Sequence, residues 1–147
     1  MMRSNDIIAV VVWYNPNATH AHNLMSYAHV VRHVVVVDNS INDHSPLLQE
    51  MSDNLTYIPL HDNFGIAHAL NIGCNMAVQM GAQWILTMDQ DSQWQKGQLE
   101  HYIHTANNYP SIEQVGVFSP RQVYGKGCVK QTSIYEEKIA VMTSGCL

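Results

Sequence analysis

"WILTMDQDSQW", residues 84–94, sets an apolar run directly against two acids. Trp84 to Met88 has the length and apolar content of a strand buried in a sheet. Asp89 and Asp91 follow at once, separated by Gln90. The chain has 147 residues, of which 46% are hydrophobic and only 13% charged. That composition is globular and sufficient for one domain with a core. Two carboxylates at the lip of such a core need a reason.

Working outward, the same pattern recurs. Ile7 to Trp13 is a continuous run rich in β-branched residues, read as a strand buried on both faces. Asn15-Pro16-Asn17 breaks it, and Thr19 is placed to cap a helix through about Val31. Val34 to Val37 is a second buried strand, ending at Asp38-Asn39-Ser40. Ser45-Pro46 opens a short helix over Leu47 to Met51, and Thr56 to Leu60 is a third strand. Asn63 to Gly65 turns into a long helix with Ile66, Ala69, Leu70, Gly73, Ala77 and Met80 along one face and Gly81 as its stop. After the fourth strand, Lys96 to Asn107 reads as a helix carrying Leu99, Ile103 and Ala106. Val115 to Ser119 reads as a fifth strand and Ile139 to Met142 as a final one. Strands alternating with helices, the strands fully apolar, imply an α/β fold: a doubly wound, mainly parallel, Rossmann-like sheet flanked by helices. Such sheets bind ligands beyond the carboxyl ends of their strands, where strand order reverses. Polar residues stand at the ends of the first four strands: Tyr14-Asn15, Asp38-Asn39-Ser40, His61-Asp62-Asn63 and Asp89-Gln90-Asp91-Ser92.

A net charge of −5 argues against a nucleic-acid partner, which needs a basic face. No GxxxxGK[ST] loop and no GxGxxG turn is present, so the usual backbone cradles for phosphate are missing. Two like charges about 4 Å apart repel by roughly 4 kcal/mol at an effective dielectric of about 20. Asp89 and Asp91 therefore make sense with a cation between them, and carboxylate oxygens suit Mg²⁺ or Mn²⁺ bridging to a diphosphate. In extended chain a D-x-D spacing points both side chains the same way. The competing account is a solvated turn closed with Ser92. Asp38 could accept from a base or ribose, or form an Asx turn with Asn39 and Ser40. Gly65 permits close backbone approach, and Asn63 could cap the helix. Asn71 lies in an apolar helix, where a buried amide either braces a loop or touches ligand.

The nine histidines include the pairs His20/His22 and His101/His104, neither with a third ligand nearby, and read as surface residues. Cys74 reads as a small buried residue. Cys74, Cys128 and Cys146 form no CxxC pair, as expected of reduced thiols in a cytoplasmic protein. The apolar run after Asp6 is about seven residues, too short to span a membrane, and no other segment approaches a span.

Together "VVVWYNP" (10–16), "VVVVDNS" (34–40), "NFGIAHALNIG" (63–73) and "WILTMDQDS" (84–92) resemble the nucleotide-binding half of inverting glycosyltransferases of family 2, which have the GT-A fold. The "DQDS", "DNS" and "GIA-x-ALN-x-G" forms are most similar to the rhamnosyltransferase branch. The resemblance implies that Asp38 contacts a uracil or thymine. It implies that Asp89 helps bind ribose and diphosphate, and that Asp91 ligates Mg²⁺ or Mn²⁺ with Asp89. Tyr14 and Asn15 would line the nucleotide pocket, with Asn63, Gly65 and Asn71 shaping its wall. The implied partners are a dTDP- or UDP-linked sugar and a saccharide or lipid-linked acceptor, which fits a cytoplasmic protein peripheral at the inner face of the membrane. "VMTSGCL" (141–147) looks like the family's mid-domain "SG-x-L" segment, and Glu136 and Glu137 do not match its base. The chain is thus expected to be the donor-binding, N-terminal part of a longer domain, with the catalytic base beyond Leu147.

Three other classes fit the sequence less well. A nucleotidyltransferase would carry a Gly-rich, basic signature after the first strand, and "WYNPNATHAHN" has neither lysine nor arginine. A receiver-like regulatory domain wants paired acids where Tyr14-Asn15 stand. A non-catalytic association module would use apolar sheet left uncovered by truncation, favouring a homo-oligomer.

Overall fold

The computed structural model describes residues 1–49, 51 and 53–120. Four parallel strands form one sheet: β1 (Ile7–Trp13), β2 (His33–Asp38), β3 (Leu55–Pro59) and β4 (Trp84–Asp89), in the order β3-β2-β1-β4. Helices α1 (Ala18–Ala28), α2 (Ile66–Gln79) and α3 (Gln98–Asn107) connect and cover them. β1 is the central strand, paired through Val10↔Val35 on one side and Val10↔Thr87 on the other. Every residue of it is buried, which is why its sequence is an unbroken apolar run rather than an alternating one.

The pleat divides that run between two cores. Ile7, Ala9, Val11 and Trp13 pack with Leu24, Tyr27, Leu99 and Ile103 beneath α1 and α3. Ile8, Val10 and Val12 pack with Val35, Val37, Ala69 and Ala77 beneath α2. Gly73 lets α2 settle onto this second face. A Cβ there would collide with Val10 Cγ1 and come within 3.0 Å of Val37 Cγ2.

Several boundaries differ from the sequence expectation. The cap of α1 is Asn17, whose side chain accepts from the N–H of Thr19 and His20. Thr19 already lies inside the helix, which ends at Ala28 rather than Val31. The expected helix after Pro46 is a single 3-10 turn, Ser45–Leu48. On α2 only Ala69, Gly73 and Ala77 are fully buried, while Ile66 is exposed. Cys74 is half-buried rather than buried. α3 begins at Gln98, after Gly97 at a left-handed φ of 79°. Val115 to Ser119 is not a strand. Its anchor is Phe118, whose ring packs on Trp84 and Tyr109, so ring packing rather than a ladder places the segment. The strand expected over Ile139 to Met142 lies outside the described residues. No helix among the described residues is long and apolar enough to cross a membrane.

Candidate functional site

Strand order runs outward from β1 to β2 to β3, then returns across β1 to β4. The reversal between β1 and β4 leaves room at their carboxyl ends on the α2 face of the sheet, where Val12 lies. A crevice of about 410 Å³ lies there, lined by Val12, Tyr14, Asn39, Asn63, Gly65, Ile66, Met88, Asp89 and Gln90. All four strand ends supply a wall or the loop that forms one.

The wall from β2 is built on a buried acid. Asp38 is 1% exposed, and both its oxygens are engaged. Ser40 Oγ donates to Oδ1, while Tyr57 OH at 2.6 Å and His44 Nδ1 at 2.7 Å donate to Oδ2. Ser40 Oγ in turn accepts from the Asn15 N–H at 2.8 Å, holding Asn15 at a left-handed φ of 46°. Asp38 thus fixes the exit of β1 from behind. Its neighbour Asn39, 4% exposed, faces the crevice. The Asn39 carboxamide donates to Asn63 Oδ1 at 2.9 Å and accepts from the Phe64 N–H at 2.9 Å. Asn63 Oδ1 also accepts from the Gly65 N–H at 3.0 Å. Asn63 therefore forms an Asx turn before α2 rather than capping it. The N-cap is Gly65, at φ 83°, with no side chain to intrude on a ligand.

Opposite stands the end of β4. Asp89 is its last residue, exposed and lining the crevice. The chain then turns, with the Ser92 N–H donating to the Asp89 carbonyl at 3.2 Å. Asp91 is exposed on that turn, so strand alternation does not align it with Asp89. The turn is fastened to α1 at two points: Asn23 Nδ2 donates to the Gln90 carbonyl at 3.1 Å, and the Trp94 N–H donates to Ser26 Oγ at 3.0 Å. Among the described residues no group of three or more His, Cys, Asp or Glu could hold a metal ion alone.

A family model, "Glycosyl transferase family 2", matches residues 16–135, a span containing three of these four strand ends. The chain belongs to glycosyl transferase family 2. It is also 39% identical over 94 residues to "dTDP-rhamnosyl transferase RfbF" of Shigella flexneri. That alignment covers 62% of this chain and 31% of the relative, so the chain spans about a third of the relative's length.

On this family 2 scaffold, Tyr14, Asn63, Gly65 and Asp89 meet at the crevice. Asn15 adjoins it through its backbone. Asp38 lies behind the lining and Asp91 beyond it. Asn71 is exposed, not buried, and is not among the lining residues. The sequence reading passed over Asn39 and Gln90. Each directly follows a singled-out acid at a strand end, and that adjacency was the available signal.

Proposed function

We propose that this chain is the donor-binding part of an inverting glycosyltransferase. The reaction is transfer of a sugar, rhamnose in the first instance, from a dTDP- or UDP-linked donor to a saccharide or lipid-linked acceptor in cell-surface polysaccharide synthesis. The observation that carries this is the position of Asp89, at the open end of β4 in the crevice that Tyr14, Asn39 and Gly65 share. The crevice volume lies within the range of small-ligand sites, roughly 300–1,000 Å³. Family membership supports sugar transfer, and the name of the Shigella relative supports rhamnose and dTDP.

Tyr14 and the Asn39–Asn63 wall would receive the nucleoside, with Asp38 acting through the residues it positions. The donor set fits a hard divalent ion shared with a diphosphate. Asp89 and Asp91 offer carboxylate oxygens only, too few to complete a coordination shell without phosphate and water. Mg²⁺ or Mn²⁺ bound there would neutralise the diphosphate as it leaves. This chain's own part is to hold the donor and orient its anomeric carbon. Inversion also needs a base for the acceptor hydroxyl, and none of the crevice residues is assigned that role.

Calorimetry with dTDP and UDP tests the reading. The expected result is binding in the presence of Mn²⁺ or Mg²⁺ that EDTA removes and Asp91→Ala abolishes. A folded sample that binds neither nucleotide in a metal-dependent way would overturn it.

A further inference from the structure

The residue between the two acids makes an unusual pair of contacts. The Tyr14 N–H donates to Gln90 Oε1 at 2.8 Å, and Gln90 Nε2 donates back to the Tyr14 carbonyl at 3.3 Å. A primary carboxamide carries the same donor and acceptor as a peptide group. The position explains the need. The β1–β4 ladder ends at the pair Val12↔Asp89, while on the other side the ladder continues to Trp13↔Asp38. Tyr14 is therefore where β1 and β4 part, and its backbone has lost its partner strand. The Gln90 side chain supplies one more rung across the opening. The same residue is held from its backbone by buried Asn23 of α1.

We infer that Gln90 is a positioning residue for the donor site. It sets the separation between the Tyr14 wall, which receives the nucleoside, and the Asp89–Asp91 turn, which receives the metal and diphosphate. The inference rests on the function proposed above. Without the rung Tyr14 loses its tie to the β4 turn beyond the last ladder pair, and a ligand spanning the two must order that junction at the cost of affinity. A similar carboxamide pairing occurs away from the crevice. Asn107 Oδ1 accepts from the Met2 N–H at 2.6 Å, and its Nδ2 donates to the Met2 carbonyl at 2.7 Å. That pair bridges the N-terminus to the end of α3 and serves as an internal control.

The test compares Gln90→Met, Gln90→Glu and Asn107→Met with the wild-type chain, using dTDP and Mn²⁺ in calorimetry and thermal melts for folding. Gln90→Met keeps the shape and removes both bonds without adding charge. It should weaken binding roughly five- to tenfold. Asn107→Met should lower the melting temperature while leaving affinity near wild type. Gln90→Glu keeps the acceptor but sets a carboxylate against the Tyr14 carbonyl. A loss of affinity at Gln90 without a matching loss of melting temperature, the reverse of Asn107→Met, is what a merely structural role would not produce. Wild-type binding matched by both Gln90 variants overturns this inference alone. No binding by folded wild type overturns the function reading and this inference with it.

Discussion

The Tyr57 hydroxyl of β3 donates to the buried Asp38 carboxylate of β2 at 2.6 Å, and accepts from the His44 N–H at 2.8 Å. Asp38 pairs in register with Pro59, two residues beyond Tyr57, so the bond crosses two strands at their carboxyl ends. A buried carboxylate is tolerated only where donors replace its lost water. Tyr57 is one of three, and the one that also ties down the loop carrying His44. Tyr57→Phe should lower stability by about 1–3 kcal/mol, because it leaves the His44 N–H short of a partner as well as removing a donor to Asp38. Urea unfolding measures this. A variant as stable as wild type would show that water replaces the phenol without cost.

Asn39 holds the neighbouring wall by donating and accepting at once, so the two halves of its carboxamide can be tested separately. Asn39→Asp keeps an oxygen for the Phe64 N–H but faces Asn63 Oδ1 with another acceptor. The 63–65 loop should detach, at a cost of about 1–2 kcal/mol. Amide exchange at Phe64 and Gly65 should accelerate while the β1 amides keep their protection. Uniform acceleration throughout the sheet would mean instead that Asn39 supports the whole fold.

Gly73 makes a prediction opposite in sign to helix propensity. Gly→Ala inside a helix ordinarily stabilises by about 1 kcal/mol. Here the new methyl meets Val10 and Val37, both fully buried in the sheet with no room to yield. Gly73→Ala should destabilise by about 1–3 kcal/mol, the usual cost of overpacking. It should also disturb the crevice, since α2 begins at its wall. Gly81→Ala is not an equivalent control, because Gly81 sits at φ 76°. Val78→Ala on the exposed face of α2 is a suitable one. A Gly73→Ala melting temperature at or above wild type would contradict the close approach.

β1 and β2 were legible because burial on both faces leaves a continuous apolar signature; β4 carries a similar run although only Leu86 and Met88 of it are fully buried. Their polar ends were legible for the same reason, as abrupt interruptions of it. Which of two successive polar residues faces the crevice was not legible. It depends on which face of the sheet the crevice lies against: Val34 and Val36 pack on the α1 side and Asp38 continues that face, whereas Val35 and Val37 pack on the α2 side and Asn39 continues theirs into the crevice. The misplacement of Asn71 has a geometric cause too. The buried stripe of α2 is Ala69, Gly73 and Ala77, and a residue two positions from both Ala69 and Gly73 stands roughly 200° round the helix from each. The apolar neighbours of Asn71 in sequence are not its neighbours in space. Val115 to Ser119 had strand composition, but its aromatic ring docks on β4 without the backbone pairing that composition suggested.

Tyr27 links the core beneath α1 to alkaline stability. It is 1% exposed, and burial pushes its phenol well above the ordinary value of 10.0. Burial first, and the bond to Asp38 second, raise the Tyr57 phenol in the same direction. A raised folded value means that the native chain keeps a proton which the unfolded chain gives up. The associated stability is complete below about pH 10 and is lost as pH rises beyond it, at about 1.4 kcal/mol per pH unit for a fully buried tyrosine. The wild-type protein should therefore unfold cooperatively in alkali, with the buried phenols ionising only as it unfolds. Tyr27→Phe should move that midpoint to higher pH by removing one of the protons released. Phenolate absorbance followed alongside circular dichroism checks both statements. Ionisation of every tyrosine before the loss of helix signal, or an unchanged midpoint for Tyr27→Phe, would show that burial of this ring does not govern the alkaline limit.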